Sequence, residues 1–253
     1  MKKAIQAFLQ RALGFERYLF WFSRFKIATF ALEPSKHDGD FTHLLSLIKP
    51  SDNILDIGAN IGIMAVPLAK ACPQGRVIAF EPVPDNFQAL QRVVQHYKLS
   101  NVVLKQLALG EEPGSLTMKM PVINGVRMQG LSYVDDQTIA GYGEVATEDY
   151  HVPVHTLDSL DILQAMKIDA IKIDVENYEQ FVLRGGKGLI ERNQPIIYCE
   201  LWPNENRTHV FHLLRSLDYQ VKVLEGDVLI DYIDNLHTQQ NFFFLPRSRT
   251  FQA

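Results

Sequence analysis

Three carboxylates sit where apolar runs stop, and they carry the chemistry this chain can do: Glu81 after RVIAF, and Asp174 and Glu176 within IKIDVE. A carboxylate at a strand end can accept hydrogen bonds from both hydroxyls of a ribose, or take the proton of an alcohol that is becoming a nucleophile. The stretch LDIGANIG, residues 55–62, belongs with them. Asp56 ends a strand, Gly58 lets the chain turn and approach a ligand, and Gly62 permits close packing where the next helix begins, near Ile61. Ala59 and Asn60 lie in the same cradle. Its Gly-x-x-x-Gly spacing departs from the Gly-x-Gly-x-x-Gly of a dinucleotide site and lacks the Gly-Lys-Ser/Thr of a phosphate loop. Glu81 follows at about the 20-residue distance from a glycine loop to a ribose-binding acid. Together they imply a nucleoside.

Such residues need a parallel sheet to bring them together. Candidate strands are 53–57, 76–81, 102–109, 169–175 and 195–201, with helix patterns between them, as in a crossover-connected sheet. In residues 85–99, Asp85 can cap with Gln88, while Phe87, Leu90, Val94 and Tyr97 share one face. The runs 219–225, 228–233 and 241–247, split by turns such as Glu225-Gly226-Asp227, read as antiparallel strands at a sheet edge. Residues 1–40 read as a helical arm and 41–253 as the domain, with an irregular insertion over about 111–155 before the fourth strand, marked by Gly114, Pro121, Gly125, Gly130, Gly141 and Gly143.

Composition narrows the partners. A net charge of −4 gives no broad basic field for a nucleic acid. Cys72 and Cys199 lie in apolar surroundings and read as reduced core residues of a cytoplasmic protein. Lys2 and Lys3 are followed by Gln6, Gln10 and Arg11, which interrupt the apolar run that a signal peptide needs. The aromatic stretch 15–32 is broken by Glu16, Arg17, Arg24 and Lys26, too soon for a membrane span. It reads as an arm packed on its own domain, with peripheral membrane contact or an active-site cover as the other readings.

DIGANIG at 56–62, FEPVPDNFQAL at 80–90, LALGEEPGSL at 107–116, VHTLDSL at 154–160, IKIDVENYEQFVLRGG at 171–186 and PIIYCE at 195–200 resemble the FkbM family of S-adenosylmethionine-dependent methyltransferases, in the family's order. The resemblance implies a class I methyltransferase fold: a Rossmann-like, doubly wound α/β sheet of seven strands, the last antiparallel. It also implies methyl transfer to a hydroxyl, often on a sugar or natural product. S-adenosylmethionine would place its ribose on Glu81 and its adenine beside Pro82, Asn86 and Ala108. Its amino acid tail would lie on residues 58–62, with the tail ammonium on Asp56 or Asp174 and the tail carboxylate at the helix start.

On the acceptor side, alternation through IKIDVE puts Lys172, Asp174 and Glu176 on one side of the strand, and Glu200 ends the next. Asp174 is the first candidate base and Glu176 the second. His151 and His155 share a side of an extended segment and either could serve as base or sugar contact. Tyr133, Tyr142, Tyr150 and Trp202 could stack on an acceptor ring. The same carboxylates admit a divalent metal such as Mg²⁺, a reading that ranks below direct base catalysis. Asp174, Glu176 and Glu200 lack the companion Asp-Asn pair of metal-dependent catechol methyltransferases, so no metal ligand is assigned. Where the family has Gly after Asp-x-Glu, this chain has Asn177, a residue that tolerates a left-handed backbone. Two other readings stay open: a catalytically silent module that binds a nucleoside or a protein, and a dehydrogenase, which S-adenosylhomocysteine and NAD would tell apart.

Overall fold

The apolar runs at 53–57, 76–81, 169–175 and 195–201 are short and each is followed by a turn and a helix, so these strands return parallel and are covered on both faces. The computed structural model describes residues 2–135, 145–234 and 236–249. Helices α1 (Lys2–Leu13), α2 (Phe15–Leu32), α3 (Pro34–His37) and α4 (Gly39–Leu47) lead into β1 (Asn53–Ile57), α5 (Ala65–Ala71), β2 (Arg76–Phe80), α6 (Pro84–His96) and β3 (Val102–Lys105). Next come β4 (Ala108–Leu109), β5 (Gly114–Ile123), β6 (Val126–Arg127), β7 (Tyr133–Val134) and β8 (Ala146–His155). The chain continues through α7 (Asp161–Gln164), β9 (Ala170–Ile173), α8 (Glu179–Arg184), α9 (Lys187–Asn193), β10 (Ile196–Glu200), α10 (Glu205–Ser216), β11 (Tyr219–Glu225), β12 (Val228–Asp231) and β13 (Asn241–Pro246).

The main sheet has eight strands, in the order β12-β11-β13-β10-β9-β1-β2-β3, where the family resemblance implied seven. The additional strand is β12, which returns on β11 across Gly226 and Asp227 as a hairpin. Strands β10, β9, β1, β2 and β3 are parallel, and β13 runs antiparallel to both β10 and β11. Alternate residues serve the two faces. Leu55, Ile57, Ile78, Phe80, Ile171 and Ile173 join one core with α8, α9 and α10, and Ile54, Val77, Ala170 and Tyr198 join the other with α4 and α5. Cys72 and Cys199 are both buried and free.

The run 102–109 is not one strand. β2 ends before Glu81-Pro82, and Pro82 has no N–H to extend the ladder, so the chain leaves β3 after Lys105 and Ala108-Leu109 pairs with β8 instead. That pairing opens a second sheet, β4-β8-β5-β6 with β7 on β5, which replaces the irregular excursion expected over 111–155. Strands β5 and β8 pair from Gly114↔Val154 to Val122↔Ala146. Gly114, Pro121 and Pro153 sit within this ladder, and such residues read locally as loop. Gly141, Tyr142 and Gly143 lie outside the described residues.

Two further expectations change. Helix α6 starts at Pro84, whose fixed φ sets the first turn, and no side chain caps it. Asp85 instead accepts a hydrogen bond from the Tyr150 hydroxyl at 2.9 Å. The helix after the glycine loop begins at Ala65, not near Ile61, because Asn60 (φ 49°) and Gly62 (φ 84°) are left-handed and hold the chain in turns. The arm packs through one face of α2: Tyr18 and Leu19 meet Ile61 and Ala89, and Ile27 meets Val66 and Val93. Among the described residues, no helix is long and apolar enough to cross a membrane.

Candidate active site

A crevice lies at the carboxyl ends of β1, β2 and β9, where ligands of open α/β sheets bind. Gly58, Asn60, Glu81, Pro82 and Asn86 line one part, Asp174, Glu176 and Tyr178 another, and Leu116, Met118, Gln129 and Val134 of the second-sheet segment face them. Ala108 lines it too, between Leu107 and Leu109. The crevice thus gathers Gly58, Asn60, Glu81, Pro82, Asn86, Ala108, Asp174 and Glu176 from the residues singled out in the sequence.

Asp56, Ala59, Gly62 and His155 are not among its lining residues. Asp56 is fully buried behind it and forms an ion pair with Lys172 Nζ at 3.3 Å. The ammonium that Asp56 meets in this structure is that of Lys172. Ala59 is buried with Ala65, Ala79 and Leu90. Gly62 works as a packing residue, for a Cβ there would come within 2.9 Å of Leu90 Cδ1 on α6. His155 ends β8 with its side chain exposed, and its carbonyl accepts from Gly110 N. Tyr133, Tyr150 and Trp202 do not line the crevice either; its aromatic lining residues are Phe80 and Tyr178.

The Glu81 side is built from hydrogen bonds between neighbouring strand ends. The amides of Gly58 and Ala59 both donate to the Phe80 carbonyl, which locks the loop onto β2. Glu81 Oε2 accepts from Asn60 N at 2.9 Å, and Oε1 accepts from Val83 N at 2.9 Å and from Asn86 Nδ2 at 3.3 Å. Burial pushes the Glu81 carboxyl up to about 7 despite these three donors. Among the described residues, buried Asn60 Oδ1, Asn86 Oδ1 and Gln129 Oε1 find no hydrogen-bond partner. Buried acceptors without donors are costly, so this cluster calls for a ligand rich in donors. A ribose with two hydroxyls and a base with an exocyclic amine supply them, and the residues present therefore fit a nucleoside.

The Asp174 side is electrostatic. Asp174 N donates to the Ile57 carbonyl at 3.1 Å, which ties the end of β9 to β1. Lys172 Nζ donates to the Gly58 carbonyl at 3.0 Å and lies 3.8 Å from Asp174 Oδ2, so one buried ammonium connects the glycine loop, Asp56 and Asp174. Burial alone would lower the pKa of Lys172; the carboxylates of Asp56 and Asp174 outweigh it and hold the ammonium above its ordinary value. Beyond Asp174 the backbone turns through Glu176 (φ 50°) and Asn177 (φ 70°), so Asn177 does take the left-handed conformation that glycine would. Asn204 Nδ2 donates to Asn177 Oδ1 at 2.6 Å, and Glu179 accepts from Val175 N at 3.3 Å and from Asn206 Nδ2 at 2.5 Å. Burial, then the charges of Asp174, Glu200 and Glu179, push Glu176 up to about 8. Burial and Asp174 likewise push Glu200 up to about 7.

Sequence reasoning missed the parts played by Lys172, Gln129 and Tyr178. Lys172 did leave a signal, a lone cation inside an otherwise apolar strand and on the side of Asp174. Gln129 left none: it enters the site through a 3₁₀ turn after β6, and its carbonyl lies within 3.3 Å of Asn60 Nδ2.

Known methyltransferases resemble this chain in sequence and in fold. A crystal structure of a methyltransferase FkbM from Methylobacillus flagellatus KT superposes with a TM-score of 0.51 at 20% identity, covering 78% of this chain and 44% of that one, which supports the fold. Methyltransferase 1 of Beauveria bassiana is 30% identical over 150 residues, and Methyltransferase sdnD of Sordaria araneosa is 28% identical over 153. The matches take in 54% and 52% of this chain, and in each case only 59% of the relative's length. The model of the methyltransferase FkbM domain matches residues 56–221, from the buried Asp56 to the strand beyond Glu200, and so spans both sides of the crevice. The chain belongs to the FkbM methyltransferase family.

Proposed function

We propose that this methyltransferase takes its methyl group from S-adenosylmethionine and passes it to a hydroxyl of a sugar, a glycan or a hydroxylated natural product. The observation that carries the reading is a single crevice with two acidic parts of different construction. One is Glu81 among unpartnered buried acceptors; the other is Asp174 with Glu176. S-adenosylmethionine supplies an electrophilic methyl group when bound.

This chain's residues supply the rest. Glu81, Asn60 and Asn86 accept from the ribose hydroxyls, while Pro82, Leu107 and Ala108 give the base an apolar seat. An alcohol transfers its proton as it attacks, so a carboxylate must lie within hydrogen-bond reach of it. Asp174 is the base in this reading, held by its backbone tie to β1 and by Lys172. Glu176, with its pKa near 8, keeps its proton at neutral pH and donates a hydrogen bond to the acceptor. The apolar side chains of Leu116, Met118 and Val134 exclude water, which would compete for the methyl group.

The test has two steps. S-adenosylhomocysteine should raise the melting temperature and NAD should not; the reverse would remove the cofactor assignment. A radiolabelled methyl-transfer screen over glycans, glycolipid precursors and hydroxylated natural products, run with and without a chelator, should then yield a chelator-insensitive product labelled on oxygen. Label on nitrogen or carbon would refute transfer to a hydroxyl, and S-adenosylhomocysteine binding with no turnover across the screen would favour the silent module.

A further inference from the structure

We propose that the amino-terminal arm docks on an anionic lipid bilayer. Helix α2 buries one face against the domain and leaves a second apolar stripe uncovered: Trp21 is 54% exposed, Phe25 63% and Leu32 81%. Their spacing, with exposed Ala28 between them, is that of one helical face. Helix α1 repeats the pattern, with Ile5 at 55% and Phe8 at 69% exposed and Leu9 beside them. Scattered exposed apolar residues need no explanation, but two stripes on consecutive helices, rich in aromatics, mark an interaction surface.

The arm cannot bury these stripes by folding inward. Ser23 Oγ donates to the Ile61 carbonyl at 2.8 Å, and Gln10 and Arg127 exchange two hydrogen bonds of 3.1 Å, so the inner face is already committed to the glycine loop and to β6.

Charge selects the occupant. Residues 1–32 hold six basic side chains and one acidic, a net +5, in a chain whose total is −4; the remainder therefore carries −9. Arg17 precedes Trp21 by one helical turn, and the Arg24 guanidinium stacks 4.7 Å from the Trp21 ring centroid. Glu16 is neutralised by Arg92 at 2.8 Å. A cationic and aromatic helix face is what an interfacial helix presents, its rings at the acyl boundary and its cations among anionic headgroups. A second copy of the chain fits less well, because a two-fold contact through these stripes would set cationic arm against cationic arm. A lipid surface also holds the acidic body away, since the charge is segregated along the chain.

The experiment is co-sedimentation of the full chain with phosphatidylcholine vesicles containing phosphatidylserine, against phosphatidylcholine alone. Binding should require phosphatidylserine, weaken in high salt, and fall about tenfold or more in the Trp21→Ser/Phe25→Ser double variant. Both sites are exposed, and retention of the wild-type melting temperature verifies the fold of that variant. Independently of any variant, vesicles with brominated acyl chains should quench the tryptophan emission of the wild-type chain. No sedimentation with anionic vesicles, or no quenching, overturns the proposal. Trp21-dependent self-association in place of vesicle binding overturns it in favour of a second copy, and equal binding to both vesicle types refutes the electrostatic part.

Discussion

The two acidic parts of the crevice are stabilised in opposite ways. Around Glu81, every protein contact to the carboxylate is a donor drawn from residues 60–86, and the unmet demand is for more donors. Around Asp174, acids gather against one another, two successive residues are left-handed, and support comes from residues on α8 and α10. In the proposed reading, the first arrangement complements the ribose, and the second gathers unfavourable charge that a reacting group can relieve, as where a proton must move.

Gly58 is where the two meet, so its substitution should have the largest effect. A Cβ there would lie 1.9 Å from the Asp174 carbonyl oxygen, and φ is +75°. Gly58→Ala should cost about 3 kcal/mol or more, from the left-handed conformation and from forcing β1 and β9 apart. Chemical denaturation measures it; a loss below about 1 kcal/mol would mean that the strand ends are not locked together. Single substitutions should then separate the parts. Asp174→Asn should lower kcat by about a hundredfold or more with S-adenosylhomocysteine affinity little changed. Glu81→Ala should weaken that affinity by about a hundredfold, the loss of two charge-assisted hydrogen bonds. If both substitutions weaken the affinity equally, the division between the parts is wrong.

The acids also set a pH dependence with a definite sign. Glu81, Glu179 and Glu200 are pushed up to about 7 and Glu176 to about 8, from an ordinary value of 4.5, burial being the main cause in each. The folded chain therefore keeps protons that the unfolded chain releases. The stabilisation is fully present below pH 4.5 and is lost as pH rises through 7 and 8. The melting temperature of the ligand-free chain should fall between pH 6 and pH 8.5, and Glu176→Gln should flatten the upper part of that fall. A melting temperature that climbs over this range would contradict the burial of these groups.

Legibility in the sequence divides differently, between local pattern and long-range pairing. The Glu81 part could be read because its residues lie within one loop and the next strand end, and strand periodicity places them without knowledge of anything distant. Asp174 and Glu176 were legible for the same reason. What escaped depends on pairing across the chain. The second sheet needs β5 and β8, whose ladder includes Gly114, Pro121 and Pro153, so local propensity spoke against it. The pairing of Asp56 with Lys172 follows from the register Asp56↔Lys172 between β1 and β9, which no local pattern contains. Gln129 belongs to the same class, since a residue delivered by a second sheet leaves no trace in its own neighbourhood.

The smallest expected effect tests how the Asp174 part tolerates its unusual turn. Asn177→Gly relieves the mild strain of a side chain at φ 70° but removes the 2.6 Å hydrogen bond from Asn204 and frees the unfolded chain. These contributions oppose one another, so the net change should stay within about 1 kcal/mol. Affinity for S-adenosylhomocysteine should not move, because nothing on the Glu81 side touches Asn177. A loss above about 2 kcal/mol would instead make the Asn204–Asn177 bond a structural tie rather than a trim on the turn. In that case the left-handed pair at 176–177 is held chiefly by Asn204, the N-cap of α10, rather than by the bond from Val175 to Glu179.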